Sequence, residues 1–258
     1  LNYKDALVNV LHTDEMQKLP KLLIDFKTST TIHIFERKKK DIDRLLESVA
    51  LMYDVNFFVI KIIDGWLKVE INSKKYGNIS KFINAIKDLI SQNLIIKSNI
   101  ITHIIETLEK ENKKITFAES CSGGLLSYYF TSQNGASKIF NGSLLTYSNE
   151  LKENWLAVDE NVIEEKGAVS YEVVEEMSEG AMGVSGADYA ISISGIAGDM
   201  GGSEDKPVGT VYVGVRTKTN HEEKLLTLKG DRNYIQHQSV LFAIKMLLLI
   251  DKDVFFKI

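Results

Sequence analysis

Hydrophobic and polar positions follow two different periods along this chain, and each change of period marks the step from a strand to a helix. In the first hundred residues, a two-residue alternation predicts strands, and apolar positions three or four residues apart predict helices. The predicted elements, in the printed sequence, are strands 31–37, 57–64 and 66–73 and helices 40–53 and 78–93. The Asp64-Gly65 pair between two of the strands favours a hairpin turn. A small α+β domain is therefore predicted here.

From residue 99 onward the same reading predicts an alternation of strands and helices. It opens with an amphipathic helix, residues 99–112, that places Ile100, Ile104 and Leu108 on one face. The other predicted elements are strands 115–120, 142–148, 188–195, 209–217 and 223–230 and helices 125–132, 149–158, 170–186 and one that begins at Asp231. Such an order predicts a layered α/β domain with a mixed sheet. Ligands bind where the strands of such sheets end.

Charge and glycine content divide the chain at the same place. Residues 1–98 carry 16 Lys and Arg against 12 Asp and Glu, whereas residues 99–258 carry 15 against 23. Of the 17 glycines, only Gly65 and Gly77 lie in the first part. We therefore expect two domains, residues 1–98 and residues 99–258, with the tight turns concentrated in the second.

Composition excludes several classes of protein. With 44% apolar residues, two Pro and a single Cys, the chain is neither a disulfide scaffold nor a disordered segment. Lys245 interrupts the longest apolar run, so no membrane span is expected, and without a secretory signal at the N-terminus a cytoplasmic location is expected. The basic run Arg37–Lys40 has no interleaved aromatic residue, so nucleic-acid binding is not expected there. The histidines show no metal-ligand spacing, and no metal is expected.

A candidate nucleophile follows the first strand of the second part. In AESCSGG, Ser120 ends a strand, and Gly123-Gly124 precede a helix whose N–H groups are suited to binding an oxyanion. A serine before two glycines is also a common turn former. Cys121 is a second candidate, although a buried, unreactive thiol is the alternative. The pattern alone leaves these interpretations open.

A base for Ser120 has to be sought outside histidine. TYSNELK places Tyr147 at the end of a predicted strand, Asn149 as the predicted N-cap, and Lys152 one turn into the next helix. A neutral lysine in a desolvated site can deprotonate serine, and a tyrosine hydroxyl can assist the proton transfer. An ordinary exposed lysine is the alternative.

The segment SGIAGDMGGSEDKPVGTV after the strand 188–195 is rich in glycine. It is neither a Walker loop nor a dinucleotide fingerprint, so it predicts no ATPase. Its glycines can approach a ligand closely or simply form a long loop. Lys206, Lys229 and Arg232 are candidates for binding a phosphate, and Arg232 suits this role best because its guanidinium makes forked contacts with phosphate oxygens.

These motifs together resemble those of the CinA C-terminal domain family. AESCSGG, TYSNELK, KGAVS, SGIAGDMGGSEDKPVGTVYVGV and KGDR occur in the family's order between Ala118 and Arg232. The resemblance implies an amidase that converts nicotinamide mononucleotide to nicotinic acid mononucleotide and ammonia, in pyridine-nucleotide recycling. It also implies a homodimer and no cofactor. Two departures are Ser122, where the family usually has Thr, and Asp199-Met200, where it usually has a step that contains Pro.

The resemblance also assigns the site residues. It implies that Ser120, Tyr147 and Lys152 are catalytic. For a Ser–Lys amidase we expect backbone N–H groups of the turn to bind the oxyanion and the glycine-rich loop to bind the phosphoribosyl end. The expected substrate-binding residues are Ser122, Gly123, Gly124, Ser194, Gly195, Gly198, Gly201, Gly202 and Arg232.

The order of elements in residues 1–98 resembles the small KH-like domain that precedes the amidase in longer CinA proteins. The match is one of topology, without motifs, and we transfer no activity on it. Two alternatives therefore remain open for the chain: a nucleotide-binding or regulatory module without catalysis, and a nucleic-acid-binding element in the N-terminal part.

Overall fold

The structure, a computed structural model, describes residues 2–3, 6–7, 29–198 and 201–257. The chain divides into two compact units, Leu1–Ser98 and Asn99–Ile258. In the described part of the chain, no helix is both long and apolar enough to cross a membrane.

The first unit is built on a four-stranded antiparallel sheet. Two short paired strands, β1 (Asn2–Tyr3) and β2 (Ala6–Leu7), precede it. Its elements are β3 (Ser29–Phe35), α1 (Lys39–Met52), β4 (Val55–Ile63), β5 (Trp66–Ser73), α2 (Ile79–Ile90), a 3₁₀ turn (Ser91–Asn93) and β6 (Leu94–Ile95). The strand order in the sheet is β4-β5-β3-β6. The predicted hairpin between β4 and β5 is present, and Gly65 has a φ of 72°, which suits glycine.

Both helices of the first unit contribute to its hydrophobic core. Leu46 of α1 and Phe82 of α2 are fully buried in one cluster with Ile34 of β3. This arrangement follows from the sequence, because each helix has one apolar face and alternate residues of the strands point to the same side of the sheet.

Two polar side chains of the first unit make contacts within it. His33 is buried, and its Nδ1 accepts a hydrogen bond from Trp66 Nε1 at 3.0 Å. Lys39, from the basic run, donates to Val59 O at 2.7 Å and lies 6.0 Å from the centre of the Phe58 ring. The basic run Arg37–Lys40 therefore has an aromatic neighbour, Phe58, that is distant in the sequence.

The second unit contains a five-stranded mixed sheet. Its elements are α3 (Ile100–Lys110), β7 (Ile115–Glu119), α4 (Leu125–Thr131), a 3₁₀ turn (Ala136–Lys138), β8 (Phe140–Leu145), α5 (Asn149–Leu156), α6 (Glu160–Lys166), α7 (Tyr171–Ser185), β9 (Tyr189–Gly195), β10 (Thr210–Thr217), β11 (His221–Thr227), α8 (Arg232–Ile250) and α9 (Lys252–Phe255). The strand order is β11-β10-β9-β7-β8. β7 is parallel to both β8 and β9, whereas β10 is antiparallel to β9 and β11. The expectation of a mixed sheet is confirmed.

Helices cover both faces of this sheet. Phe117 of β7 packs against Phe130 of α4, with ring centres 4.9 Å apart. The next residue, Ala118, belongs to a buried cluster with Val173 and Met177 of α7. Successive strand residues point to opposite faces, so α4 and α7 lie on opposite sides of the sheet.

Several element boundaries differ from the prediction, and some short elements, among them one helix of the second unit, were not predicted. β7 ends at Glu119 and β8 at Leu145, earlier than predicted, while β11 covers residues 221–227 instead of 223–230. The helix α6 was not predicted, because its seven residues contain too few apolar positions to show a period. The parallel strands β7, β8 and β9 end at one edge of the sheet, which is where the site lies.

Candidate active site

Ser120 lies at the centre of this edge, directly after β7. Its N–H donates to Ile193 O of the neighbouring β9 at 3.0 Å, and its side chain is nearly buried. The Gly123 N–H donates to Ser120 O at 3.0 Å and closes a β-turn. Gly123 and Gly124 have φ angles of 64° and 89°, so both adopt the left-handed conformation before α4 begins. Both glycines are therefore required by the turn.

Lys152 contacts Ser120 from the first turn of α5. Its Nζ lies 3.2 Å from Ser120 Oγ and donates to Thr146 O at 2.9 Å. The side chain is only 1% exposed, which excludes the alternative of an ordinary surface lysine. Ser120 and Lys152 therefore form a buried hydroxyl–amine pair.

Burial changes the acid–base behaviour of two neighbouring groups. It lowers the pKa of Lys152 from its ordinary value of 10.5, because desolvation penalises the ammonium form. It raises the pKa of the Cys121 thiol to about 12. Lys152 is therefore shifted towards the neutral amine that a base requires, while Cys121 is held as an unreactive thiol.

Tyr147 and Asn149 lie at the mouth of the same site. Tyr147 is 61% exposed and lines the pocket with Ser120 and Lys152, but no hydrogen bond joins its hydroxyl to another described side chain. Ser148, and not Asn149, is the N-cap of α5, because its Oγ accepts from Leu151 N at 3.2 Å. Asn149 is consequently free of the capping role and lines the pocket, which the sequence analysis missed.

The pocket that contains Ser120 has a volume of about 370 Å³. Gly195, Gly198 and Gly201 of the glycine-rich loop line it, together with Arg232 from the start of α8. A Cβ placed on Gly198 would lie 2.3 Å from Arg232 Nη2. The guanidinium therefore lies directly over the Gly198 backbone, which leaves no room for a side chain there.

One wall of the pocket is formed by Ala168 and Val169. Lys206 Nζ donates to the carbonyl oxygens of Lys166 and Val169 at 2.6 and 2.8 Å, and Ser194 Oγ donates to Ala168 O at 2.7 Å. Both donors are thus used to hold this wall. Two backbone carbonyls thus bind the Lys206 ammonium group, which does not line the pocket, and its contribution of positive charge for a phosphate stays a prediction.

The buried carboxylate of Glu119 stabilises the turn that follows Ser120. Glu119 is fully buried and accepts hydrogen bonds from Ser122 Oγ at 2.8 Å, Leu126 N at 3.1 Å and Ser127 N at 2.9 Å. The hydroxyls of Ser127 and Ser143 also donate to it. Glu119 therefore ties the end of β7 to the first turn of α4, a role that the sequence analysis did not identify.

The other residues assigned to substrate binding lie in different surroundings. Ser122, Gly123 and Gly124 do not line the pocket themselves, and the Ser122 hydroxyl donates to Glu119. Gly202 does not line the pocket, and a Cβ there would lie 2.8 Å from Val208 N. Asp199 and Met200 lie outside the described residues.

A cluster of possible metal ligands lies away from this pocket. Glu175, His221 and Glu223 each offer an atom within 4.8 Å of the others. Arg216 Nη2 lies 3.6 Å from the Glu175 carboxylate, and His221 Nδ1 lies 3.0 Å from Glu223 Oε1. A guanidinium therefore already lies beside one carboxylate of the cluster, which disfavours a cation there.

Comparison with known proteins points to one family. The model of the CinA C-terminal domain matches residues 97–250. A competence-damage inducible protein of Thermoanaerobacter sp. (strain X514) is 35% identical over 225 residues, which are 84% of this chain and 54% of that protein. A CinA-like protein of Prochlorococcus marinus (strain AS9601) is 48% identical over 57% of this chain and 35% of its own length. The chain therefore spans about a third to a half of these relatives.

Solved structures agree with these matches. The competence/damage inducible protein CihA from Agrobacterium tumefaciens aligns with a TM-score of 0.58 and 30% identity, over 59% of this chain and 93% of that one. A CinA superfamily protein from Klebsiella pneumoniae aligns with a TM-score of 0.55 and 34% identity, over 57% and 92% of the two chains.

Proposed function

Because this chain belongs to the CinA C-terminal domain family, we propose that it hydrolyses the carboxamide of nicotinamide mononucleotide. The products are nicotinic acid mononucleotide and ammonia, and the activity belongs to residues 99–258. The observation that carries this proposal is the contact of 3.2 Å between Lys152 Nζ and Ser120 Oγ inside a pocket.

The proposed reaction proceeds in two halves. Lys152 Nζ takes the Ser120 proton as Oγ bonds to the carboxamide carbon, and the tetrahedral intermediate collapses when the C–N bond breaks. Lys152 returns that proton to the leaving nitrogen, so ammonia departs. Water then gives a proton to Lys152 and attacks the acyl ester, and Lys152 passes that proton to Ser120 Oγ as the ester bond breaks and the acid is released. Tyr147, at the pocket mouth, is proposed to assist the proton transfers.

Two further groups stabilise and orient the substrate in this proposal. The Ser122 and Gly124 N–H groups have no acceptor among the described residues and are the proposed donors to the oxyanion. The glycine-rich loop and Arg232 are proposed to bind the phosphoribosyl end, so that binding energy far from the reacting carbon orients it. No cofactor is assigned to the reaction. A homodimer, and a KH-like fold for the first unit, remain predictions from the resemblance.

Ammonia release from nicotinamide mononucleotide by the purified chain tests the proposal. Chromatography must show nicotinic acid mononucleotide in equal amount, and Ser120→Ala, with its folding checked by circular dichroism, is the blank. A parent that binds the nucleotide without releasing ammonia contradicts the amidase and supports a binding module.

Substitution of Gly198 by Ala is expected to raise the KM for nicotinamide mononucleotide by about tenfold, since a charge-assisted contact with phosphate is worth roughly 1.5–3 kcal/mol. The added Cβ would displace the Arg232 guanidinium, which is the end of a flexible side chain, so the fold should tolerate it. The KM is measured beside that for nicotinamide riboside, which has no phosphate.

Gly183→Ala is the matched control, because a Cβ on this glycine of α7 meets nothing within 4 Å. An equal rise in KM for the riboside would show that Arg232 does not contact the phosphate.

A further inference from the structure

The turn after Ser120 contains one carbonyl that is held from outside the turn. Gln236 of α8 donates through Nε2 to Cys121 O at 2.7 Å. Cys121 and Ser122 are the two central residues of the turn that the Gly123 N–H closes on Ser120 O. The carbonyl between them has no partner inside a β-turn, so Gln236 supplies one from a distant helix.

The same peptide unit carries the Ser122 N–H. The peptides of the described residues are trans, and in a planar trans peptide the C=O and the N–H point in opposite directions. A hydrogen bond that fixes Cys121 O therefore also fixes the direction of the Ser122 N–H. It further polarises the peptide, which strengthens the N–H as a donor.

Peptides at this position of a turn are able to flip, because type I and type II turns differ mainly in the orientation of the central peptide. A flip would give Ser122 a positive φ, and the structure holds it at a negative one. Steric strain at a residue with a Cβ and the bond from Gln236 thus favour the same orientation.

We propose that Gln236 is a positioning residue, which holds the Cys121–Ser122 peptide so that the Ser122 N–H is directed at the oxyanion formed on attack by Ser120. The inference rests on the proposed function. It assigns to α8 two tasks at the pocket, because Arg232 stands one helical turn before Gln236 on the same face. Gln236 itself does not line the pocket.

Gln236→Leu keeps the bulk of the side chain and removes the donor. Its kcat for nicotinamide mononucleotide is expected to fall about 10- to 100-fold, less than the loss of a whole oxyanion donor, with KM nearly unchanged. Gln238→Leu is the matched control, since Gln238 lies on the same helix and makes no side-chain hydrogen bond to a described residue. Melting temperatures are measured for each variant.

A second readout does not depend on the amide substrate. Labelling of Ser120 by phenylmethylsulfonyl fluoride, followed by mass spectrometry, also passes through an oxyanion-like state. It is expected to slow by a similar factor in Gln236→Leu and to remain unchanged in Gln238→Leu. If the parent is labelled but releases no ammonia, the proposed function fails, and the labelling rates alone decide the role of Gln236.

Gln236→Glu tests whether the hydrogen bond to Cys121 O, and not only the packing of the side chain, is needed. A carboxylate cannot donate to Cys121 O, whereas a protonated carboxyl group can, so the activity of this variant relative to the parent should rise as the pH falls. Labelling and kcat within about twofold of the parent in Gln236→Leu would overturn the proposal. The proposal would also be overturned if the activity of Gln236→Glu relative to the parent did not change with pH. The same holds if Gln238→Leu lost as much activity as Gln236→Leu, or if Ser120 of the parent were not labelled.

Discussion

Substitution of Lys152 by Met is expected to lower kcat for ammonia release by about 10³- to 10⁶-fold, the range found when a general base that acts with a nucleophile is removed. Met fills a similar volume but cannot accept the Ser120 proton. Among the described residues, the basic group within hydrogen-bond distance of Ser120 Oγ is Lys152 Nζ. Steady-state ammonia release measures the effect.

Lys224→Met is the control for this substitution. Lys224 lies on β11, is exposed, and pairs only with Glu222 at 2.8 Å among the described residues. Lys224→Met should have a kcat within about twofold of the parent value, because substitutions at exposed positions usually have small effects. A Lys152→Met variant with more than a tenth of the parental kcat would remove Lys152 from the mechanism.

The pH dependence of both activity and stability should carry the signature of Lys152. Its pKa is lowered in the folded protein, so kcat is expected to fall as the pH drops through that lowered value and the amine becomes protonated. The unfolded chain binds the proton up to the ordinary pKa of 10.5. Between the two values the unfolded state holds more protons, and stability rises with pH.

Melting temperatures of the parent and of Lys152→Met, measured at several pH values, test this expectation. The parent is expected to gain stability relative to Lys152→Met as the pH rises towards 10.5. A difference that is constant with pH would mean that Lys152 is charged in both the folded and the unfolded states.

Substitution of Glu119 by Gln is expected to lower the free energy of unfolding by about 3 kcal/mol, although the two side chains have nearly the same shape. Both carboxylate oxygens accept from donors, and the N–H groups of Leu126 and Ser127 cannot turn away. The amide NH₂ of Gln would face one of these donors in a fully buried position. Chemical denaturation followed by circular dichroism measures the loss.

Glu165→Gln is the matched control, because Glu165 is an exposed residue of α6 with no hydrogen bond to a described side chain. A Glu119→Gln variant as stable as Glu165→Gln would contradict the need for two acceptor oxygens at this position. Because Glu119 fixes the Ser120 turn, kcat should also fall in this variant even where it remains folded.

The sequence predicted the parts of this fold that depend on local periodicity. Strand and helix types, the hairpin at Gly65 and the mixed sheet were all within reach of this reading. The Ser120–Lys152 pair was also within reach, because both residues follow strands whose ends meet at one edge.

What escaped prediction depends on contacts between residues far apart in sequence. The wall held by Lys206 requires the position of carbonyl groups 37 and 40 residues away, and Gln236 reaches a carbonyl 115 residues away. Gln236 belongs to none of the motifs, and Lys206 lies in the glycine-rich segment, where its sequence gives no sign of the carbonyl groups that it binds. A lysine in an acidic domain suggested a phosphate ligand, whereas the structure uses it to bind backbone.

The parallel pairing of β7 with both β8 and β9 also bears on how the protein reaches its active state. Parallel neighbours cannot be joined by a tight turn, so their pairing must wait until long connections have closed. The β4–β5 and β10–β11 hairpins, by contrast, pair strands that are close in the chain. Ser120 and Lys152 meet only after β7 and β8 have paired, 32 residues apart in the chain. During refolding, catalytic activity would therefore return with the last steps of assembly of the second unit, after much of the secondary structure has formed.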